Sequence, residues 1–173
     1  MSLILLRHTK PLGADGICYG RTDLALADGF ADEVARLLQE LPTVARIVTS
    51  PLSRCRLLAE AIGEARQQPV TVEPGLVEMD FGTWENRSWD DIPRAEIDTW
   101  VRDFHHSNPH GGETVAQLGA RASAAFDALM SGAAPILAVT HSGIIRAAMA
   151  ATGDPKGWNL DTKFGHWRQV SWP

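Results

Sequence analysis

Four short apolar runs constrain this chain more than anything else in it: Leu3–Leu6, Arg46–Thr49, Val70–Val72 and Ile136–Val139. None alternates with polar residues, which is the pattern of strands covered on both faces. Between them, apolar stripes recur at helix spacing. Phe30, Val34, Leu37, Leu38 and Leu41 follow Asp28, a candidate cap. Leu52, Cys55, Ala59 and Ile62 form a second stripe, and Val115, Leu118, Ala122, Ala125 and Leu129 a third. The fourth, Ile144, Ile145, Ala148 and Met149, is apolar enough to be largely buried. Strands alternating with helices predict an α/β protein: a three-layer sandwich whose mostly parallel sheet carries helices on both faces. Arg168–Trp172 is a candidate last edge strand. Pro11–Asp23, rich in glycine and turn formers, reads as a loop. Gly75–Gly112, with Phe81, Trp84, Trp89 and Trp100 set among Asp, Pro and His, reads as a partly helical excursion over the sheet.

The 173 residues suit a single domain, 1–173, with no internal repeat, linker or low-complexity stretch. A net charge of −5 is a poor basis for a nucleic-acid or membrane-surface binder. Any anionic substrate must therefore meet positive charge that is concentrated locally. Cys18 and Cys55 make neither a disulfide framework nor a CxxC site. The run Leu3–Leu6 is short for an export leader and leads into Arg7-His8, so it reads as a strand. No stretch approaches the roughly 20 apolar residues of a membrane span. The expected location is the cytoplasm.

The residues able to do chemistry fall where strands end, which is where open α/β sheets bind ligands. The first strand ends in Leu6-Arg7-His8-Thr9, the second in Thr49-Ser50-Pro51-Leu52-Ser53-Arg54, and the last parallel one in Val139-Thr140-His141-Ser142-Gly143. Separate segments thus deliver two arginines and two histidines to one rim. A guanidinium fork matches the oxygens of a phosphate dianion. Ser50-Pro51 has the form of a helix N-cap followed by proline, which would put Arg54 near a helix N-terminus, and His141 opens a helix as well. A neutral imidazole can attack phosphorus while a second, protonated one stabilises the equatorial oxygens. That chemistry calls for no metal and no cofactor. Taken singly, Arg7-His8 could be a surface pair, His141 a satisfied core histidine and Arg54 a solvated helix residue; their joint placement at strand ends favours the functional reading.

Five stretches in order resemble the histidine phosphatase superfamily, the phosphoglycerate mutase-like family: Leu-Leu-Arg-His-Thr, Thr-Ser-Pro-Leu-Ser-Arg-Cys, Glu78 before Phe81-Gly82-Thr83-Trp84-Glu85, Gly111-Gly112-Glu113-Thr114, and Val-Thr-His-Ser-Gly-Ile-Ile-Arg. They run from Leu3 to Arg146. The resemblance implies that His8 is the phosphorylated nucleophile and that Arg7, Arg54 and His141 complete the phosphate pocket. It also implies that Glu78 is the acid that protonates the leaving oxygen and then the base that activates water. A carboxyl can do this only if its surroundings suit proton transfer, and aromatic neighbours are expected to supply them. Most members of the family read Arg-His-Gly, whereas this chain has Thr9, whose hydroxyl could donate to a phosphate oxygen or restrict backbone approach. Ser142 joins the expected substrate contacts.

The segment from Thr9 through Cys18-Tyr19-Gly20-Arg21-Thr22-Asp23 to Leu26 resembles the corresponding loop of α-ribazole phosphatases of cobalamin biosynthesis. That resemblance implies α-ribazole 5′-phosphate, free or cobamide-linked, as substrate. Arg21 would then reach the phosphate or ribose and Tyr19 would stack on a flat base; the alternative is that both only pack the loop. A broad-specificity sugar phosphate or nucleotide phosphatase fits the same core. A phosphoglycerate mutase would need insertions that this compact chain lacks. A non-catalytic binding module would be expected to have lost His8, Glu78 or an arginine. A metal-dependent hydrolase has weak support: His105, His106 and His110 lack the i, i+4 spacing of zincin ligands and read as a polar or solvated loop. A serine hydrolase acting through Ser142 lacks a GxSxG elbow. The expected partner is a small phosphate monoester, not nucleic acid or membrane, and homodimerisation is left open.

Overall fold

The computed structural model describes residues 1–173. Strand β1 (Ser2–Arg7) leads through a long loop to α1 (Phe30–Glu40). Then come β2 (Arg46–Thr49), α2 (Ser53–Arg66) and β3 (Val70–Val72). An excursion holding α3 (Arg94–Arg102) precedes α4 (Val115–Leu129), β4 (Ile136–Thr140), α5 (Ser142–Ala151) and β5 (Trp167–Ser171). The sheet has the order β3-β2-β4-β1-β5. All pairings are parallel except β1 with β5, so the last strand is an antiparallel edge, set one residue earlier than its pattern suggests. This is the sandwich expected from the alternation of strands and helices.

Because side chains alternate across a strand, each central strand feeds two cores. Leu3, Leu5, Val48, Ile136 and Ala138 face α4 and α5, meeting Leu118, Ala122, Phe126 and Ile144. Ile4, Leu6, Ile47, Leu137 and Val139 face α1 and α2, meeting Leu37, Leu58 and Ile62. A fully buried side chain of this kind contributes about 1.5–3 kcal/mol of transfer free energy. This two-sided burial explains why the strands read as unbroken apolar runs. No helix is long and apolar enough to cross a membrane.

Two helix starts differ from the sequence reading. Helix α1 is N-capped by Gly29 with no side-chain hydrogen bond, so Asp28 is not the cap. Helix α2 begins at Ser53 after Leu52 rather than at Ser50-Pro51. The first helical bonds run from Cys55 and Arg56 N–H to Leu52 O, while the Ser50 hydroxyl accepts from Leu52 N–H at 3.4 Å and lies 2.7 Å from His141 Nε2. The excursion contains single 3₁₀ turns at Pro74–Leu76, Gly82–Trp84 and Trp89–Asp91 besides α3. It packs as a small third core of Cys18, Trp84 and Ile92, with Phe81, Ile97 and Trp100 against it. His110 belongs to that layer rather than to a solvated loop: it is buried, with its ring 4.9 Å from that of Trp84. His105 and His106 are exposed.

Candidate active site

Strand register builds the site. Arg7 of β1 pairs with Thr140 of β4, and Thr49 of β2 pairs with Val139, so three parallel strands end at one level. The ladder runs one residue further on each side: His8 N–H donates to Thr140 O (3.1 Å) and Ser50 N–H to Val139 O (3.0 Å). His8 and His141 therefore leave neighbouring strands side by side, with ring centroids 5.2 Å apart.

The His8 ring is fixed and neutral. Its Nδ1 donates to the carbonyl of Thr9 at 2.7 Å, which puts the lone pair on Nε2. Arg54 Nε donates to that Nε2 at 3.3 Å. Burial, with the Arg54 and Arg7 cations alongside, pushes the His8 pKa down to about 3 despite the Thr9 bond, which raises it. His141 is fully buried, and its pKa lies well below the ordinary value, first through burial and then through His8, Arg54 and Arg7. In the free site burial thus favours its neutral form. A phosphate dianion entering among these cations changes the sign of that local field.

The arginines are held differently. Arg54 is completely buried, with Nη1 donating to Thr22 O (2.7 Å) and Nη2 to Gly20 O (2.5 Å). Arg7 donates from Nη1 to Thr162 O (2.5 Å), and its guanidinium lies 3.7 Å over the Phe164 ring. Its Nε is buried without a partner, as are Trp100 Nε1 on the same cavity and His110 Nε2 in the neighbouring aromatic layer. Tyr19 lines the same cavity, and the Arg54 guanidinium lies 5.2 Å from its ring.

Glu78 is brought to the same place by the other side of the sheet. Thr140 Oγ1 donates to Leu76 O at 2.8 Å, and Arg121 Nη1 donates to the carbonyls of Gly75 and Val77, each at 2.8 Å. Arg121 is itself held by both oxygens of Glu113, at 2.9 and 2.8 Å. The Gly111–Thr114 motif thus acts by bracing the strap that carries Glu78. The Glu78 carboxyl accepts from Met79 N–H (2.9 Å) and from Gly143 N–H (3.0 Å) in the first turn of α5.

Arg7, His8, Tyr19, Glu78, Ser142 and Arg146 line one cavity of about 220 Å³. Its far wall is aromatic: Phe81, Trp89, Trp100, Phe104 and Trp158. Arg146, Thr162 and Phe164 escaped the sequence reading. Arg146 closes the motif that begins at Val139, and helix periodicity from His141 would have placed it near the rim. Thr162 and Phe164 sit in an irregular segment that carries no sequence signal. The Ser142 hydroxyl meets Thr162 Oγ1 at 2.5 Å at the cavity edge.

Four of the expected site residues are absent from the lining of this cavity: Arg54 and His141, both fully buried, and Thr9 and Arg21. Arg21 is not among the residues lining this cavity; its guanidinium pairs with Glu113 at 3.8 Å and is 44% exposed. Thr9 contributes its carbonyl to His8, while the residue itself lines a separate surface cavity with Lys10, Phe30 and Phe164.

Comparison with known proteins agrees with this architecture. The model of the histidine phosphatase superfamily (branch 1) matches residues 3–169. An adenosylcobalamin/α-ribazole phosphatase of Salmonella typhimurium is 28% identical over 182 residues, covering 98% of this chain and 90% of that one. A glucosyl-3-phosphoglycerate phosphatase of Mycolicibacterium vanbaalenii is 31% identical over 167 residues, covering 86% and 72%. The crystal structure of the α-ribazole phosphatase from Shigella flexneri superposes with a TM-score of 0.85 at 25% identity, over 99% of this chain and 90% of that one. The chain belongs to the histidine phosphatase superfamily, and it is a phosphoric monoester hydrolase.

Proposed function

We propose that this protein hydrolyses α-ribazole 5′-phosphate through a phosphohistidine on His8. The observation that carries the substrate is the aromatic lining of the cavity that holds Arg7 and His8: Phe81, Trp89, Trp100, Phe104 and Trp158 supply apolar surface against which a flat base can pack. The similarity to α-ribazole phosphatases over nearly the whole chain supports the same reading. A three-carbon acid such as 3-phosphoglycerate would leave that wall unused.

The reaction runs in two displacements. Arg7, Arg54 and His141 hold the phosphate oxygens. The His8 Nε2 lone pair attacks phosphorus and the bond to the ester oxygen breaks, with Glu78 giving that oxygen a proton. The alcohol leaves. Glu78, now a carboxylate, takes a proton from water as the water oxygen attacks phosphorus. The P–N bond breaks, returning neutral His8 and releasing inorganic phosphate. The guanidinium groups carry the charge neutralisation that a metal would otherwise supply, so EDTA should leave the rate unchanged.

The test compares hydrolysis of α-ribazole 5′-phosphate, 3-phosphoglycerate, fructose phosphates and p-nitrophenyl phosphate by wild type and His8→Ala. Preference for the first, abolished in His8→Ala, is expected. Flat, His8-dependent activity would discard the substrate and keep the chemistry. Turnover by His8→Ala at near-native rate would sink the phosphohistidine itself.

A further inference from the structure

One half-buried carboxylate takes no part in these steps, yet five donors converge on it. Glu85, just past the 3₁₀ turn Gly82–Trp84, accepts from the backbone N–H of Gly20 (3.0 Å), Arg21 (2.9 Å), Thr22 (3.2 Å) and Phe81 (3.1 Å). The Thr22 hydroxyl adds a fifth bond at 2.5 Å. Burial alone would push this carboxyl up, but these hydrogen bonds outweigh it and hold the group below the usual carboxylate range.

The other side of the same turn faces the nucleophile. Gly20 and Thr22 give their N–H groups to Glu85 and their carbonyls to Nη2 and Nη1 of Arg54. Arg54 Nε then reaches His8 Nε2 at 3.3 Å. We propose that Glu85 is a positioning residue for phosphoryl transfer: through the 20–22 turn it fixes the Arg54 guanidinium against His8. The inference rests on Arg54 binding the phosphate, as read above.

The physical argument has two parts. The peptide group joining Gly20 to Arg21 gives its N–H to Glu85 and its carbonyl to Arg54 Nη2, so the anion on one side polarises that carbonyl toward the cation on the other and strengthens the bond. Geometry adds to this. A guanidinium tied at both Nη atoms has one remaining orientation, and preorganised donors act only when they are already aimed. The turn admits no bulk: a Cβ on Gly20 would overlap Met79 O, with Phe81 Cδ2 at 2.8 Å and Glu85 Oε1 at 2.9 Å. A glutamine at 85 keeps the size but replaces one acceptor oxygen with a donor, which sets an N–H against N–H groups of the turn.

A double-mutant cycle separates positioning from simple loop stapling. Wild type, Glu85→Gln, Arg54→Lys and the double variant are assayed with p-nitrophenyl phosphate and for inhibition by orthovanadate, which mimics the five-coordinate phosphorus. Glu85→Gln should lose on the order of 100-fold in kcat/KM and bind orthovanadate more weakly. In the Arg54→Lys background the same change should cost no more than about threefold. Thr22→Val, which removes only the hydroxyl donor, should lose roughly three- to tenfold and show the same non-additivity; it carries the test if Glu85→Gln does not fold. Additive losses, with Arg54→Lys itself impaired, overturn the role of Glu85 and leave the phosphate pocket standing. A native rate in Arg54→Lys overturns both.

Discussion

Gly143→Ala gives the most direct access to the acid–base assignment, because it moves Glu78 without altering it. A Cβ at position 143 would overlap Oε1 of Glu78, with the carboxyl carbon at 3.2 Å and Leu118 Cδ2 at 3.1 Å. Leu118 is the end of a flexible side chain and can give by a few tenths of an ångström. The carboxyl cannot give so cheaply, since both its oxygens are bonded, to Met79 N–H and Gly143 N–H. Relief requires it to move by roughly 1 Å, a displacement that costs about 100-fold when proton transfer depends on position. Alanine is the better helix former by about 0.8–1 kcal/mol, so in the first turn of α5 overall stability should fall little. The assay is a leaving-group series of phosphate monoesters under single-turnover conditions. Alkyl phosphates, which need a proton on the departing oxygen, should slow by the full factor, and p-nitrophenyl phosphate by less than about fivefold. Thermal unfolding should shift by no more than a few degrees. Glu78→Gln should show the same selectivity. Equal slowing across the series would refute the acid role and recast Glu78 as a brace for α5.

Other consequences are equally open to measurement. His8 is held neutral down to about pH 3, whereas in the unfolded chain it takes a proton near its ordinary value of 6.5. The unfolded state therefore binds more protons between these limits, and stability should fall as pH drops from 6.5 toward 3. The urea midpoint should fall between pH 7 and 5, and by less in His8→Asn; equal falls would contradict the buried neutral ring. Arg21→Ala breaks a half-exposed pair with Glu113 and should leave kcat/KM within about twofold on every substrate; a large loss confined to α-ribazole 5′-phosphate would restore Arg21 to the substrate site. Trp89 lines the aromatic wall while 40% exposed, so Trp89→Ala should fold normally. It should lower kcat/KM for the base-bearing substrate by about tenfold and leave inhibition by inorganic phosphate unchanged. Weaker phosphate inhibition would mean that the wall shapes the anion pocket instead.

The relation between the two arginines and the two histidines shows how much depends on register. Strand β1 ends with Arg7 paired to Thr140 of β4, so the residues that follow are neighbours by necessity. A slip by one residue would turn His8 to the opposite face of the sheet and break the pocket while leaving the apolar count unchanged. The same alternation makes the two cores and the site one problem: Leu6 and Val139, which end the buried runs, fix the heights at which His8 and His141 emerge.

Much of this was legible from the chain alone. Unbroken apolar runs separated by helix stripes determine the layered α/β class, since strands buried on both faces have no polar side to show. Strand ends name His8, Arg54 and His141, because in a parallel sheet those ends share one rim. What the one-dimensional pattern could not decide is whatever depends on competition between distant groups. Ser50 has the chemistry of a helix cap, and its hydroxyl is shared between Leu52 N–H (3.4 Å) and His141 Nε2 (2.7 Å), a partner far along the chain. Arg21 and Tyr19 lie in a loop with no periodicity, and the packing of Glu113 and Arg54 sets where they go. The gathering of five aromatic rings from Phe81 to Trp158 into one wall needs α3, α4 and the 3₁₀ turns to be placed first. Local sequence fixes periodicity and propensity; side chains that must choose between partners far apart in the chain are settled only when the fold brings those partners within reach.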